Sequence, residues 1–326
     1  MKENYRAWDI DIDALITLRD FIKAGILAPS SHNSQPWAFR LRNDFIAIVL
    51  ESSRRLPASD KNDRQAYISL GCAIANIEII AAYHGHAVDL VFTDSGAELR
   101  FSESKDKNSL PELAQYLTKR ATNRSAYIKE PLPTKLRNEA QALVVEGTKL
   151  QFVEDAVQIA ALAALAVDSS ISAMEDIDFR EELSRHVLPN TSSHKIGMPG
   201  FGLGFPLPIS FILPHLIRRT NVAKLSRKQD MALFQKTPTI GIIETKTDMK
   251  VDWMNVGRTY ERLALLATSM GYATAPWGAP IQTKDFHTHI SSTLNLSGRP
   301  QMFFRLGRPT KPVPHAPRIP VERVLS

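Results

Sequence analysis

The chain has 326 residues, 44% of them hydrophobic and 23% charged, with a formal net charge of +6 at pH 7. This composition is typical of a soluble globular protein of two modest domains or one large one. The positive charge favours an anionic ligand, but the basic residues are scattered, and no basic patch interleaved with aromatic residues indicates nucleic-acid binding.

The cysteine content and the N-terminal segment indicate in which cellular compartment the protein is found. Cys72 is the single cysteine, so the chain cannot form an internal disulfide, which suggests a reducing environment. The segment from Met1 to Ile12 carries five charged residues and no continuous apolar run, so it does not resemble a secretory signal. We therefore expect a cytoplasmic protein.

The first half of the chain predicts a helix, a hairpin, a second helix and a strand. Apolar residues at helical spacing indicate a helix over 13–27, and alternating residues after it indicate hairpin strands over 37–50. A longer apolar helix over 64–84 ends at Gly85 and is followed by a strand over 87–93. A polar connector, Ser102 to Asn108, and a short helix near Pro111 to Lys119 complete this half.

The second half predicts a similar mixture of helices and strands. The periodicity indicates helices over 133–146, 155–171 and 251–270, and strands over 149–154, 239–245, 273–275 and 301–307. The fold class predicted from this order of elements is α+β.

The two long apolar helices of the two halves share one layout. An offset of 186 residues aligns Gly71 with Gly257, Gly85 with Gly271, and the apolar positions between them. Any two amphipathic helices with glycine caps share some features, but one offset for both glycines and the apolar stripe favours a duplicated unit.

A long uncharged stretch runs from Ile196 to Ile217. Its length would permit a membrane span, but four glycines and four prolines within it are too many helix breakers for a lone helix in lipid. We interpret it as an irregular lid whose apolar side chains cover a bound ligand. No stable membrane insertion is expected.

The densest polar segment of the chain lies between the first helix and the first strand. Ala28 to Trp37 reads Ala-Pro-Ser-Ser-His-Asn-Ser-Gln-Pro-Trp, and by composition alone it is an ordinary turn. The order of its residues, however, closely resembles the signature of the FMN-dependent nitroreductase superfamily, and the histidine before the asparagine resembles the Acg-like branch. The resemblance implies FMN contacts from Ser30, Ser31, His32, Asn33 and Gln35.

Further segments extend the resemblance to the second half. Lys119 to Ser125 resembles the arginine-rich segment that holds the FMN phosphate, which implies roles for Arg120, Thr122 and Arg124. Arginine suits that task because its planar fork forms paired bonds to phosphate oxygens. Near the C-terminus, Arg318 resembles a further phosphate ligand. Trp277 and Gly278 stand where the family places backbone donors against the flavin N5 and O4 edge.

The resemblance implies a nitroreductase-like fold in which two tandem units form a dimer within one chain. We expect a first unit over 1–118 and a second over 119–326, with a lid insertion at 187–230. The polar loop belongs to the first unit and the arginine segment to the second, so one FMN per chain is expected.

Three functions remain open. The first is an FMN-dependent oxidoreductase that takes a hydride from NAD(P)H and reduces a nitroaromatic, a quinone or a similar small-molecule acceptor, with chemistry centred on the flavin and no protein residue as catalyst. The second is an FMN-sequestering protein with a closed lid and little turnover. The third is a membrane-surface or partner-binding module that holds no flavin. The assembly is expected to be a monomer or a homodimer.

Other combinations of residues give weaker evidence for a functional site. The pairs His84 with His86 and His287 with His289 lack the pattern of a metal site, so no metal is expected. Ser31 and His32 are neighbours without a Gly-x-Ser-x-Gly elbow, which argues against a hydrolase.

Overall fold

The computed structural model describes residues 2–104 and 110–325, so residues 105–108 of the predicted polar connector lie outside the described part. The helices are α1 (Leu18–Gly25), α2 (Arg64–Tyr83), α3 (Thr134–Ala142), α4 (Ala156–Ala173), α5 (Ile177–His186), α6 (Leu207–Arg219), α7 (Val222–Gln235), α8 (Lys250–Ser269), α9 (Ala279–Gln282) and α10 (Phe286–Leu294). The strands are β1 (Trp37–Leu41), β2 (Phe45–Leu50), β3 (His86–Thr93), β4 (Gly96–Glu103), β5 (Tyr127–Ile128), β6 (Thr148–Val153), β7 (Val187–Leu188), β8 (Met198–Pro199), β9 (Thr239–Thr245), β10 (Ala273–Pro276) and β11 (Arg299–Pro309).

The predicted α+β class is confirmed, and local signals set the ends of the helices that carry the site. Thr17 and Asp20 form a reciprocal capping box at the start of α1. The Asp60 carboxylate accepts hydrogen bonds from the backbone N–H groups of Gln65 and Ala66, and so caps the first turn of α2. Both helices therefore begin where side-chain acceptors satisfy their free N–H groups.

The two halves of the chain share one strand order. In the first half the sheet order is β1-β2-β4-β3, and in the second it is β6-β9-β11-β10. All six of these pairings are antiparallel. In each half a long central helix, α2 or α8, lies in sequence between the second and third strands of its sheet. This agreement in topology is what two tandem units of one ancestry would produce.

The two central helices pack against each other at two glycines. A Cβ on Gly71 would lie 2.0 Å from the Met254 carbonyl oxygen, and a Cβ on Gly257 would lie 1.9 Å from the Ile68 carbonyl oxygen. Ile68 and Met254 are themselves related by the offset of 186 residues. The contact is therefore reciprocal, as in an isologous interface between two identical subunits.

The predicted lid is wrong in its secondary structure. Half of the uncharged stretch forms the regular helix α6, with Pro208 in its first turn and Pro214 inside it. Proline at the first turn is compatible with a helix because the N–H it lacks has no partner there. Leu213 and Ile217 of α6 are buried in a small separate core with Met174 and Val187. This tertiary packing stabilises the helix despite its prolines.

Among the residues that the structure describes, two helices are apolar and long enough to cross a membrane by length and composition alone. These are α2, whose apolar window is 89% buried within the structure, and α4, whose window is 33% buried. The burial of α2 accounts for its composition, because it forms the core between the two halves together with α8.

We expect Gly71→Ala and Gly257→Ala each to lower the free energy of unfolding by about 1–3 kcal/mol or more, because each methyl group would collide with a backbone carbonyl of the facing helix. Urea denaturation measures the loss.

Gly202→Ala is the matched control, because nothing lies within 4 Å of the Cβ that it would carry. If the two helix variants unfolded within about 0.5 kcal/mol of the control, the close crossing of α2 and α8 would not exist in solution.

Candidate functional site

The polar loop after α1 has an unusual backbone. His32, Asn33 and Gln35 have positive φ angles of 50°, 53° and 52°, a region that residues other than glycine seldom adopt. Such conformations persist where the surrounding structure holds them in place, and they cluster at functional sites. The loop is therefore a candidate site on backbone grounds as well as on its side chains.

Side chains of this loop tie together segments that are distant in sequence. The Asn33 amide nitrogen donates to the carbonyl oxygens of Gly197 at 3.0 Å and Pro317 at 3.1 Å. The Gln35 amide donates to the Lys195 carbonyl at 2.6 Å and accepts from the Ile319 N–H at 2.8 Å. Asn33 and Gln35 thus fix the start of the segment before α6 and the C-terminal tail against the first half.

Two predicted arginines meet at the C-terminal end of α1. Nη2 of Arg318 donates to the carbonyl oxygens of Leu27 at 2.9 Å and Ala28 at 3.1 Å, and Nη2 of Arg120 donates to Leu27 at 3.2 Å. These two carbonyl groups lie in the turn just after α1, at the negative end of the helix, which favours cations. Arg120 is 3% exposed and Arg318 is 4% exposed, so both are buried there.

An aromatic residue of the N-terminal segment covers Arg318. The guanidinium carbon lies 4.7 Å from the centroid of the Trp8 ring, and the same ring stacks on His315 at 4.0 Å. Burial, with Arg120 and Arg318 adding to its effect, lowers the pKa of His315 to about 4. His315 is therefore neutral at pH 7 and does not add to the charge of the site.

One carboxylate faces this pair. Oε1 of Glu261, on α8, lies 3.1 Å from Nε of Arg120, and the Glu261 side chain is fully buried. Burial raises the pKa of Glu261 to about 7, although Arg120 and Arg318 oppose that shift. Glu261 supplies one negative charge at most.

Arg124 adds a third cation with little compensation. Its half-buried guanidinium has Nη2 at 3.9 Å from the Met198 sulfur, and no carboxylate among the described residues forms an ion pair with it. Burial lowers the pKa of Arg124. Three arginines against one carboxylate leave two positive charges uncompensated, and buried charge of this kind is costly unless an anion pairs with it.

The three arginines, with Ser30, Asn33 and Thr122, line a cavity of about 70 Å³ that Met198, Phe201 and His315 also border. Among the described residues, Nη1 of Arg120 and Nε of Arg318 are buried without a hydrogen-bond partner. Free buried donors and a net charge near +2 fit a phosphate dianion, whose oxygens are acceptors. The cavity is smaller than the roughly 300–1,000 Å³ of ordinary ligand pockets, so it has room for a phosphate group but not for a whole nucleotide.

Some predicted site residues lie elsewhere. The His32 ring faces α5, with its centroid 5.8 Å from that of His186 and 6.4 Å from that of Phe179. Burial lowers the pKa of His32 to about 3, helped by His186 and Arg124. Ser31 lies on the 3-10 turn of the loop, and no hydrogen bond of the described residues assigns it a role.

The structure does not bring Trp277 to the cavity. Its backbone N–H donates to the Phe303 carbonyl at 2.9 Å, and its indole Nε1 donates to Ser170 Oγ at 2.9 Å in the core of the second half. The backbone N–H of Trp277, which the resemblance assigned to the flavin, therefore already has a hydrogen-bond acceptor within the protein. Around Gly278 nothing lies within 4 Å of where a Cβ would stand, so its assignment stays a prediction.

Three site residues escaped the sequence reasoning: Trp8, His315 and Glu261. Trp8 lies in the segment Asn4 to Asp11, which has only Arg6 and two acids where the second half has its arginine-rich segment, and so received no site residue. Glu261 could have been found, since the offset of 186 residues aligns this acid with Ala75 on the apolar central helix of the first half. A charge that breaks a repeated apolar pattern indicates a buried partner.

A larger cavity of about 550 Å³ lies in the second half between the start of α4 and the end of α7. Ile159, Ala163, Met231 and Phe234 form much of its wall, and it contains none of the predicted site residues. It offers no arginine for a phosphate. Among residues 2–104 and 110–325 no group of three or more His, Cys, Asp or Glu side chains is placed to hold a metal ion.

The protein has an α+β fold, and its polar loop, three arginines and C-terminal tail enclose a positively charged cavity. No protein-family model matches the chain. A Mycobacterium tuberculosis protein named "Putative NAD(P)H nitroreductase Rv3131" is 24% identical over 329 residues, which span 95% of this chain and 91% of that protein. "Putative NAD(P)H nitroreductase acg" of the same organism is 21% identical over 346 residues, which span 96% and 97%. The chain is thus related, over nearly its whole length, to proteins named as nitroreductases, which confirms the predicted resemblance.

Solved structures also align with part of the chain. The FMN-dependent nitroreductase NfnB from Mycobacterium smegmatis in complex with NADPH aligns with a TM-score of 0.43 and 14% identity, covering 66% of this chain and 97% of that one. Oxidized iodotyrosine deiodinase bound to FMN and 3-iodo-L-tyrosine aligns with a TM-score of 0.41 and 15% identity, covering 64% and 95%.

The two buried glutamates of the central helices should respond oppositely to neutralisation. The pKa of Glu261 is raised from 4.5 to about 7 in the folded chain. Its contribution to stability is therefore complete below about pH 4.5 and is lost as the pH rises through 7. In the protein without ligand, Glu261→Gln should remove this loss and raise the free energy of unfolding at pH 8 by on the order of 1–3 kcal/mol.

Glu78→Gln is the comparison. Glu78 lies 2.5 Å from Arg258 and 2.9 Å from Arg262, and although burial opposes them, these arginines hold its pKa below the ordinary value. Its neutralisation should cost about 3–5 kcal/mol at neutral pH. Urea denaturation between pH 5 and pH 8 gives the free energy of unfolding of both variants. If this free energy changed equally with pH in the Glu261 variant and in the unmodified chain, Glu261 would not have the raised pKa described above.

Proposed function

We propose that the chain is an FMN-binding oxidoreductase of nitroreductase type that uses NAD(P)H. The observation that carries the proposal is the cavity with two uncompensated buried positive charges, formed by Arg120, Arg124 and Arg318. These are the residues that the family resemblance assigns to the flavin phosphate. The sequence relatives named NAD(P)H nitroreductases support the same class of chemistry.

The residues present fit a phosphate-bearing cofactor. Arg120 and Arg318 offer free donors, Arg124 offers a guanidinium that pairs with no carboxylate of the described ranges, and Ser30 and Thr122 add hydroxyl groups on the same wall. Bound FMN would supply the redox chemistry by accepting a hydride at N5. The protein's own task is then to hold the phosphate, to position the ring and to exclude water.

The site would be single and shared between two units of one chain, over 1–118 and 119–326, with residues 187–230 inserted in the second. Ser30 and Asn33 come from the first unit, whereas the three arginines come from the second. The mirror-image position would have to use Asn4 to Asp11, where a single arginine, Arg6, stands with two acids, and Gly147 to Lys149, which has no polar loop like that of the first half. One FMN per chain follows, with the chain acting as a monomer or assembling as a homodimer.

The acceptor would be a nitroaromatic, a quinone or a similar small molecule. One observation favours the alternative of FMN sequestration with little turnover: Met198 and Phe201 close the small cavity, while the side chains of Asn33 and Gln35 bind the start of the same segment through Gly197 and Lys195. A segment held in this way would restrict access of an acceptor to the ring.

Absorbance spectroscopy and stopped-flow kinetics separate these functions. The proposal expects a protein that purifies with a flavin spectrum, is bleached by NADPH, and regains its colour when menadione or nitrofurazone is added. A flavin spectrum that NADPH does not bleach would indicate sequestration. If the protein neither purified with FMN nor bound added FMN, the proposal would be wrong.

Arg124→Ala should weaken FMN binding by about 1.5–3 kcal/mol, the scale of a lost hydrogen bond to a charged group. Because Arg124 makes few contacts within the protein, the midpoint of unfolding without FMN should stay unchanged. Fluorescence titration of FMN measures the affinity. Arg120→Ala and Arg318→Ala should weaken binding as much, but they should also loosen the end of α1.

The exposed Arg323 provides the control, since Arg323→Ala removes an equal charge away from the cavity. Equal FMN affinity in the Arg124 and Arg323 variants would exclude the arginine segment from phosphate binding.

A further inference from the structure

Helix α6 exposes a broad apolar surface. Leu207, Ile209, Phe211, Ile212 and Leu216 are 47%, 46%, 50%, 63% and 40% exposed. The opposite face of the helix, with Ser210, Leu213 and Ile217, is buried against the rest of the protein. Single exposed apolar residues are ordinary, but five on one helix of 13 residues mark a surface that binds something.

The stretch of sequence that contains α6 carries charge of one sign. From Leu183 to Gln229 the sequence contains no Asp or Glu and seven basic residues, namely Arg185, Lys195, Arg218, Arg219, Lys224, Arg227 and Lys228. The net charge of the whole chain is +6, so this segment of the sequence accounts for more than the entire excess. The positive charge is therefore concentrated in sequence around the exposed helix.

Some of these charges are paired with acids of α4, α5 and the turn between them. Arg218 contacts Glu181 at 2.8 Å and Arg227 contacts Asp168 at 2.6 Å, but the two basic side chains are 63% and 52% exposed. Ion pairs in that position are weak and screened. Arg219 and Lys228 form no ion pair with the residues that the structure describes, so they are available to an anionic partner.

A second copy of this chain fits the surface poorly. In an interface with twofold symmetry the same patch meets itself, so the apolar side chains would meet, but Arg218 and Arg219 would approach their own copies without any acid on α6 to balance them. Like charges brought together in this way oppose association.

We propose that α6 docks the protein reversibly on the surface of an anionic lipid bilayer. A helix with exposed Leu, Ile and Phe and with basic residues at its end and on the next helix has the character of an interfacial helix, which lies in the membrane plane with its apolar side chains between the lipids. Long arginine and lysine side chains reach from such a helix to the headgroups. Pro214 and the 13-residue length do not matter here, because the helix does not span the bilayer.

Vesicle sedimentation tests this with the full chain. We expect binding to vesicles of phosphatidylcholine with about 30 mol % phosphatidylserine, at least about tenfold weaker binding to phosphatidylcholine alone, and loss of binding at about 0.5 M salt. The double variant Phe211→Ser, Ile212→Ser should lose at least about tenfold in affinity, and so should Arg219→Glu, Lys228→Glu. All of these side chains except Lys228 lie on α6, and none borders the anion cavity.

The matched control is Ile16→Ser, Val157→Ser, which removes two apolar side chains that are 67% and 77% exposed but lie away from α6. It should bind like the unmodified chain. The proposal is overturned if no vesicles are bound, if phosphatidylcholine alone is bound equally, or if the Phe211 and Ile212 variant binds normally. It is also overturned if light scattering shows a dimer that this variant dissociates, because the face would then join two copies.

Discussion

The close crossing of α2 and α8 at Gly71 and Gly257 is the constraint on which the rest of the structure depends. Each glycine lies against a carbonyl oxygen of the facing helix, so neither position has room for a side chain. The crossing brings the two sheets, each packed on its own central helix, into one continuous core. It also sets the distance between the loops and tails that leave these helices.

The site follows from that crossing. On one side, Asn76 of α2 donates to the Ala24 carbonyl and holds α1, and the carbonyl groups of the turn after α1 receive Arg120 and Arg318. On the other side, Glu261 of α8 lies beside Arg120. The C-terminal tail then returns to the first sheet, where the Phe39 N–H donates to the Val324 carbonyl at 2.7 Å, and this return carries Arg318 to the loop. Positive charge is thereby buried by packing and left for an anion to balance.

Much of this could be predicted from the sequence because periodicity and residue order carry it. The central helices, the first hairpin and the strand Thr239–Thr245 follow from simple apolar patterns, and their observed bounds agree with the prediction to within a residue or two. The arginines and the loop were found from the order of residues in two short segments. Those signals are local, and the structure brings Ser30, Asn33, Arg120, Thr122, Arg124 and Arg318 to one cavity.

The predictions that the structure corrects concern elements whose conformation depends on contacts between residues distant in sequence. The helix α6 was predicted as an irregular lid because its prolines suggested breakage, but the buried face formed by Leu213 and Ile217 stabilises it. The strand β4 was missed because its last residues were read as a polar connector. The Trp277 N–H was assigned to a ligand, although its partner, the Phe303 carbonyl, lies on the neighbouring strand. Glu261 lies on α8, and its role depends on an arginine that lies far away in the sequence.

The central claim is that two units of the same topology form one site for one cofactor. The most direct measurement is a titration of the cofactor-free protein with FMN at a protein concentration well above the dissociation constant, followed by the quenching of flavin fluorescence. We expect the titration curve to reach its plateau at one FMN per chain. A plateau at two FMN per chain would require a second phosphate site and would contradict the claim. The absence of saturable binding would contradict it as well.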